Sequence, residues 1–140
     1  MRKNKTYESL IDKSIGSMLS AIEIYNKPDF KYREETFAIL AVNAWELLLK
    51  ARIFKLGNFR INTIFCYKAY VNKSGEKPTK KKVLDRNRCG NPKTISIFDA
   101  LQRLDSQNQI PQNLKDNIET LIEFRDNAIH FVNMSKLSKP

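Results

Sequence analysis

No apolar run in the 140 residues approaches the roughly 20 that a membrane span requires, and no continuous apolar stretch of signal-peptide type follows the Met1-Arg2-Lys3-Asn4-Lys5 start. The expectation is a cytoplasmic protein with no membrane association. Cysteine is scarce: Cys66 and Cys89 stand alone without paired spacing, which argues against a disulfide framework and against a zinc site. Both are expected to be reduced thiols, and neither a metal nor a cofactor is expected. Internal repeats and low-complexity segments are absent, so a solenoid is not indicated. Histidine occurs once, at position 130. Acidic residues are in deficit, 15 Asp and Glu against 25 Lys and Arg.

That deficit leaves a formal net charge of +10, which points to a polyanionic partner, nucleic acid ahead of an anionic membrane surface. Much of it is local. Between residues 76 and 93 the cations Lys77, Lys80, Lys81, Lys82, Arg86, Arg88 and Lys93 face only Glu76 and Asp85, so half the surplus lies in one segment. These seven are the expected RNA contacts. The competing reading is a solvated basic loop whose aromatic side chains pack back on the rest of the molecule.

The length and the 41% hydrophobic content suit one globular domain over residues 1–140. A mainly α fold is expected, a four-helix bundle. The first helix is predicted over residues 6–25, with Tyr7, Ile11, Ile15, Met18, Ile22 and Tyr25 on its buried face and Ser9, Ser14, Ser17 and Ser20 on the others. Pro28 ends it. The second runs over 33–56, and Gly57-Asn58 suit a left-handed cap. It is apolar nearly all round, so it must be surrounded by its own bundle or by a second subunit. Asn43, Glu46 and Lys50 form its one polar stripe. That stripe is either a solvent-facing strip with a Glu46–Lys50 pair, or a face on which Glu46 or Asn43 orients groups of the fourth helix.

Residues 60–71 are rich in β-branched and aromatic side chains and predict a strand, with 72–75 as a turn and 79–84 as a returning strand. The whole basic hairpin or loop, about 60–94, reads as an insertion between helices two and three. Phe65, Tyr67 and Tyr70 interleave with its cations, as a surface for RNA phosphates and stacked bases requires. Ser96 to Asp99 resembles a capping box opening a short third helix that ends near Leu104. Pro111 starts the fourth. Residues 134–140 are polar and expected to fray.

In the fourth helix Ile118, Leu121, Arg125, Ala128 and Val132 share one stripe, which puts Arg125 where a core residue would stand. An arginine there needs a carboxylate, a phosphate or a wet cleft opposite it. Five residues on is His130, the side chain able to exchange protons near neutrality. Arg125-Asp126-Asn127-Ala128-Ile129-His130 resembles the Arg-polar-three-variable-His signature of the HEPN superfamily, the higher eukaryotes and prokaryotes nucleotide-binding domain. Ala44-Trp45-Glu46-Leu47-Leu48-Leu49-Lys50-Ala51 is similar to that superfamily's second helix. Ile24-Tyr25-Asn26-Lys27-Pro28, Lys31-Tyr32-Arg33-Glu34-Glu35 and Gly90-Asn91-Pro92-Lys93-Thr94-Ile95-Ser96 resemble a bacterial branch of it long described as a domain of unknown function.

The resemblance implies a metal-independent endoribonuclease acting as a toxin or antiphage-defence effector. In it His130 is the general acid or base, Arg125 the phosphate clamp, Asp126 the group orienting the ring and Asn127 a further contact to phosphate or sugar. Positions 125 and 130 lie about 140° apart around a straight helix. The superfamily meets this with a two-fold homodimer whose motifs share one cleft, and a dimer is expected here. A restraining antitoxin or regulatory protein is expected by analogy. Two other classes remain open: a non-catalytic RNA-binding module of the same fold, and an interaction bundle in which Arg125 is a structural ion-pair partner, for example of Glu46.

Overall fold

A computed structural model describes residues 4–77 and 80–130. The fold is mainly α: helices α1 (Lys5–Asn26), α2 (Arg33–Leu56), α3 (Ile97–Ser106) and α4 (Gln112–His130), with one small antiparallel pair, β1 (Tyr67–Ala69) and β2 (Lys82–Leu84), between α2 and α3. Thr79, Val132 and the polar segment 134–140 lie outside the described residues. None of the described helices is long and apolar enough to cross a membrane.

Each helix end has a local cause. The Asn4 side chain accepts a hydrogen bond from the Tyr7 amide (3.1 Å) and opens α1, and Ser96 accepts from the Asp99 amide (3.2 Å) at the start of α3. After α2 the left-handed residues are Asn58 (φ 56°) and Phe59 (φ 59°), while Gly57 keeps φ −85°. Phe59 and Asn58 donate their amides to the Phe54 and Lys55 carbonyls at 2.8 and 3.1 Å, and the Phe59 ring meets Phe54 at 5.6 Å. This is a Schellman cap with its hydrophobic contact.

The second helix is surrounded by its own bundle. α1, α3 and α4 all pack on α2, with Val42, Leu49, Ile53 and Phe54 in one core cluster with Leu101, Leu104, Ile118 and Ile122. Each such side chain contributes about 1.5–3 kcal/mol by leaving water. The expected buried face of α1 is corrected. Ile15, Ile22 and Tyr25 are about half exposed, whereas Ser14 and Ala21 are buried. Ser14 donates to the Ala44 carbonyl (2.8 Å) and Ser17 to the Leu40 carbonyl (2.7 Å). Small groups let the two backbones approach closely, so the helix turns Ser14 and Ser17 inward, leaves Ser9 and Ser20 exposed, and leaves part of its apolar stripe outside.

The strand expected over residues 60–71 is also corrected. Its first part is a 3-10 turn, Ile61–Thr63, and only Tyr67–Ala69 pair as strand, in the register Tyr67↔Leu84, Lys68↔Val83 and Ala69↔Lys82. Below the hairpin the Cys66 amide bonds the Lys93 carbonyl (2.8 Å) and the Ile95 amide bonds the Ile64 carbonyl (3.0 Å). These two bonds close the insertion at its base. Ile64 and Ile95 are buried there, which ties the base into the core.

Candidate functional site

α4 carries its core contacts on Ile118 and Ile122, both at most 2% exposed, and on Leu114 and Leu121 beside them. One turn further the core ends, and Arg125 comes to lie half-buried at its edge. The opposite wall is α2. Together they enclose an open groove of about 490 Å³, lined from α2 by Ile39, Leu40, Asn43 and Glu46 and from α4 by Arg125, Asp126, Ile129 and His130. Five of the six residues expected around the motif therefore share one groove. Asn127, the sixth, is exposed and not among the lining residues.

The charges within the groove are arranged differently from the expectation. Arg125 donates through Nε and Nη2 to the same oxygen, Asp126 Oδ1, at 3.0 and 2.9 Å. Asp126 thus holds its neighbour. The His130 ring donates no hydrogen bond to Asp126 among the described residues, and both Arg125 donors converge on the one oxygen Oδ1. Nor does Arg125 pair with Glu46: that carboxylate lies 3.7 Å from Lys50 Nζ. The ion-pair partner of Arg125 is its neighbour Asp126, at 2.9 Å, and not Glu46 across the groove.

Asn43 donates to Ser17 Oγ at 3.2 Å and so links the groove wall to α1. The polar stripe of α2 combines both earlier readings and matches neither fully. Asn43 is exposed and Glu46 half-buried on the groove, but Lys50, one turn on, is only 7% exposed. Its burial was not legible from spacing, since the lysine continues the stripe; nor was the apolar wall formed by Ile39, Leu40 and Ile129.

The basic insertion is a second surface. Lys77, Lys80, Lys81, Lys82, Arg86, Arg88 and Lys93 are all exposed. Lys81 Nζ stands 5.2 Å from the Tyr70 ring centroid, Arg86 donates to the Gly90 carbonyl (2.8 Å), and Lys93 lies 3.6 Å from Asp85. Tyr67 (44% exposed) and Tyr70 (37%) keep open rings, while Phe65 packs against the core. No group of three or more His, Cys, Asp and Glu able to hold a metal ion occurs among the described residues.

Comparison with curated proteins and with solved structures finds no match. One protein-family profile, described as a domain of unknown function (DUF3644), matches residues 9–139. The match takes in the basic insertion and both walls of the groove, and the chain belongs to that DUF3644 family.

Proposed function

We propose that the groove between α2 and α4 is the active site of a metal-independent endoribonuclease of the HEPN type. The observation that carries this reading is that Arg125 and His130, 140° apart in ideal helical projection, both line one groove. The chemistry needs few parts. The RNA 2′-oxygen loses its proton and bonds to the adjacent phosphorus; the bond from phosphorus to the 5′-oxygen breaks, and that oxygen takes up a proton. The products are a 2′,3′-cyclic phosphate and a 5′-hydroxyl. Arg125 neutralises charge building on the phosphoryl oxygens, the Nη1 and Nη2 hydrogens that Asp126 leaves free matching two of them. His130 moves a proton.

Two proton transfers and one imidazole per chain favour a homodimer, in which the second copy supplies the second histidine. The exposed apolar side chains at the groove, Ile39 (37%) and Ile129 (43%), suit cover by such a copy. The basic hairpin would hold flanking RNA by its phosphates. An RNase of this kind acts as a toxin or defence effector and requires a restraining partner in its host. A second reading, an RNA-binding module without catalysis, draws on the exposed Tyr67, Tyr70 and lysines, which form a surface complete without His130.

The deciding experiment incubates wild type and His130→Ala with total cellular RNA in EDTA, maps the fragment ends and melts both proteins. Cleavage leaving cyclic phosphate, lost in a variant that melts normally, is the expected result. Equal RNA binding by both proteins with no cleavage by either would overturn the ribonuclease reading and leave the binding module.

A further inference from the structure

Lys50 is a charged side chain in the interior, and among the described residues it shares burial with one other polar side chain, Ser14. A methionine of similar length would fill the space without removing a charge from water, so packing alone does not account for it. Its ammonium donates to Thr94 Oγ1 at 2.9 Å and lies 3.7 Å from Glu46 Oε2. Those partners belong to different parts of the molecule. Thr94 pairs with Phe65 at the base of the basic insertion, and Glu46 lines the groove with Arg125.

The carboxylate of Glu46 and the guanidinium of Arg125 therefore share a groove without pairing. Arg125 is held along α4 by Asp126, and Glu46 is held along α2 by Lys50. A carboxylate released into that groove would find Arg125 as the cation lining the same space, and would compete there with any phosphate.

We propose that Lys50 is a positioning residue that holds the Glu46 carboxylate away from Arg125 and so keeps the guanidinium donors that Asp126 leaves free open to a phosphate of the bound nucleic acid. The inference rests on the groove being the RNA site, and adds to that reading the residue that keeps it receptive. Thr94 fixes the ammonium from the other side, so the base of the hairpin and the receptive state of the groove depend on one side chain.

The test uses a short single-stranded, all-2′-deoxy oligonucleotide, which lacks the attacking hydroxyl and cannot be cut by this route. The chain has one histidine, so the imidazole Hε1 region of the NMR spectrum holds one signal, that of His130, which reports on the groove alone. Titration of the wild type should move that signal to saturation. In Lys50→Met the half-saturation point should rise roughly three- to fivefold, the scale of one partly exposed ion pair. Adding Glu46→Gln to Lys50→Met should bring it back to within about twofold of wild type. A merely structural lysine would not be rescued by neutralising Glu46. Should Lys50→Met fail to fold, Lys50→Gln takes its place with the same expectations.

Half-saturation unchanged by loss of Lys50, or raised and not restored by Glu46→Gln, overturns the proposal. An oligonucleotide that leaves the wild-type signal unmoved removes the groove as a phosphate site and this inference with it. The cleavage assay in EDTA tests the reaction separately.

Discussion

At the scale of single residues, the groove depends on a guanidinium at the edge of the core. Arg125→Lys keeps the charge and loses the planar fork, so two phosphate oxygens can no longer be held in parallel. The expected result is a fall in kcat/KM on the order of ten- to a hundredfold, the loss of one charge-assisted hydrogen bond, with the Tm unchanged. A lysine variant that cleaves as wild type would reduce Arg125 to a point charge. A different cation answers to pH. The hydrogen bond from Lys115 to Asp105 (3.0 Å), which joins α4 to α3, holds the Lys115 pKa above its ordinary value. A raised lysine pKa stabilises the fold fully below the unfolded value, roughly 10.4, and the benefit fades as pH rises through the folded value. Thermal melts of wild type and Lys115→Met should therefore differ slightly at neutral pH and converge as the pH rises through the folded value. A gap that persists in alkali would mean that Lys115 acts through packing of its stem.

At the scale of elements, the turn after α2 shows how a glycine can be required without a positive φ. A Cβ on Gly57 would lie 2.4 Å from Thr63 Cγ2 and 3.1 Å from its Cβ, and Thr63 is held by its hydroxyl to the Arg60 carbonyl (2.7 Å). Gly57→Ala should cost about 1–3 kcal/mol in denaturant unfolding. Thr63→Ser, which removes Cγ2 and keeps the hydroxyl, should restore most of it. Absence of rescue would place the cost in the cap itself.

This junction also marks where sequence reasoning succeeds and stops. The bounds of α2 follow from local signals, Pro28 before it and Gly57-Asn58 after it, together with its apolar composition. The capping serine of α3 and the proline before α4 are equally local. What spacing cannot encode is which neighbour an element meets. The apolar stripe of α1 predicts a buried face, yet the close approach of Ser14, Ser17 and Ala21 to α2 decides the rotation and exposes Ile15 at 52%. The β-branched run 60–71 forms strand only where residues 82–84 give it a partner. Arg125 and His130 are legible as site candidates because α4 carries their motif, whereas the sequence leaves Asn43 and Glu46 open between a solvent strip and a face toward α4, and only the packing puts them on the groove. The pairing of Asp126 with Arg125 is a choice of side-chain rotamer within α4, and the burial of Lys50 depends on contacts across elements; spacing encodes neither.

At the scale of the whole molecule, the surplus charge and the groove occupy different places. Residues 67–93 hold nine cations against Glu76 and Asp85, a surplus of seven out of the chain's ten, on an insertion that is anchored at its base and whose nine cations are all exposed. The groove has Arg125, His130, Glu46 and Asp126, a nearly balanced set. A polyanion should consequently be gathered by the insertion and reacted in the groove, and the two contributions should separate kinetically. If the insertion binds RNA as proposed, replacing Lys80, Lys81 and Lys82 together by alanine removes three phosphate contacts. For a single strand each contact contributes roughly 0.7 to the slope of log affinity against log salt, so the slope should fall by about 2. KM for RNA should rise at low salt, with kcat unchanged. His130→Ala should show the reverse, an unaltered salt slope with cleavage lost. If the triple variant lowers kcat as much as it raises KM, the insertion takes part in aligning the scissile phosphate and the division of labour is wrong. If it changes neither, the surplus charge serves some polyanion other than the one that enters the groove.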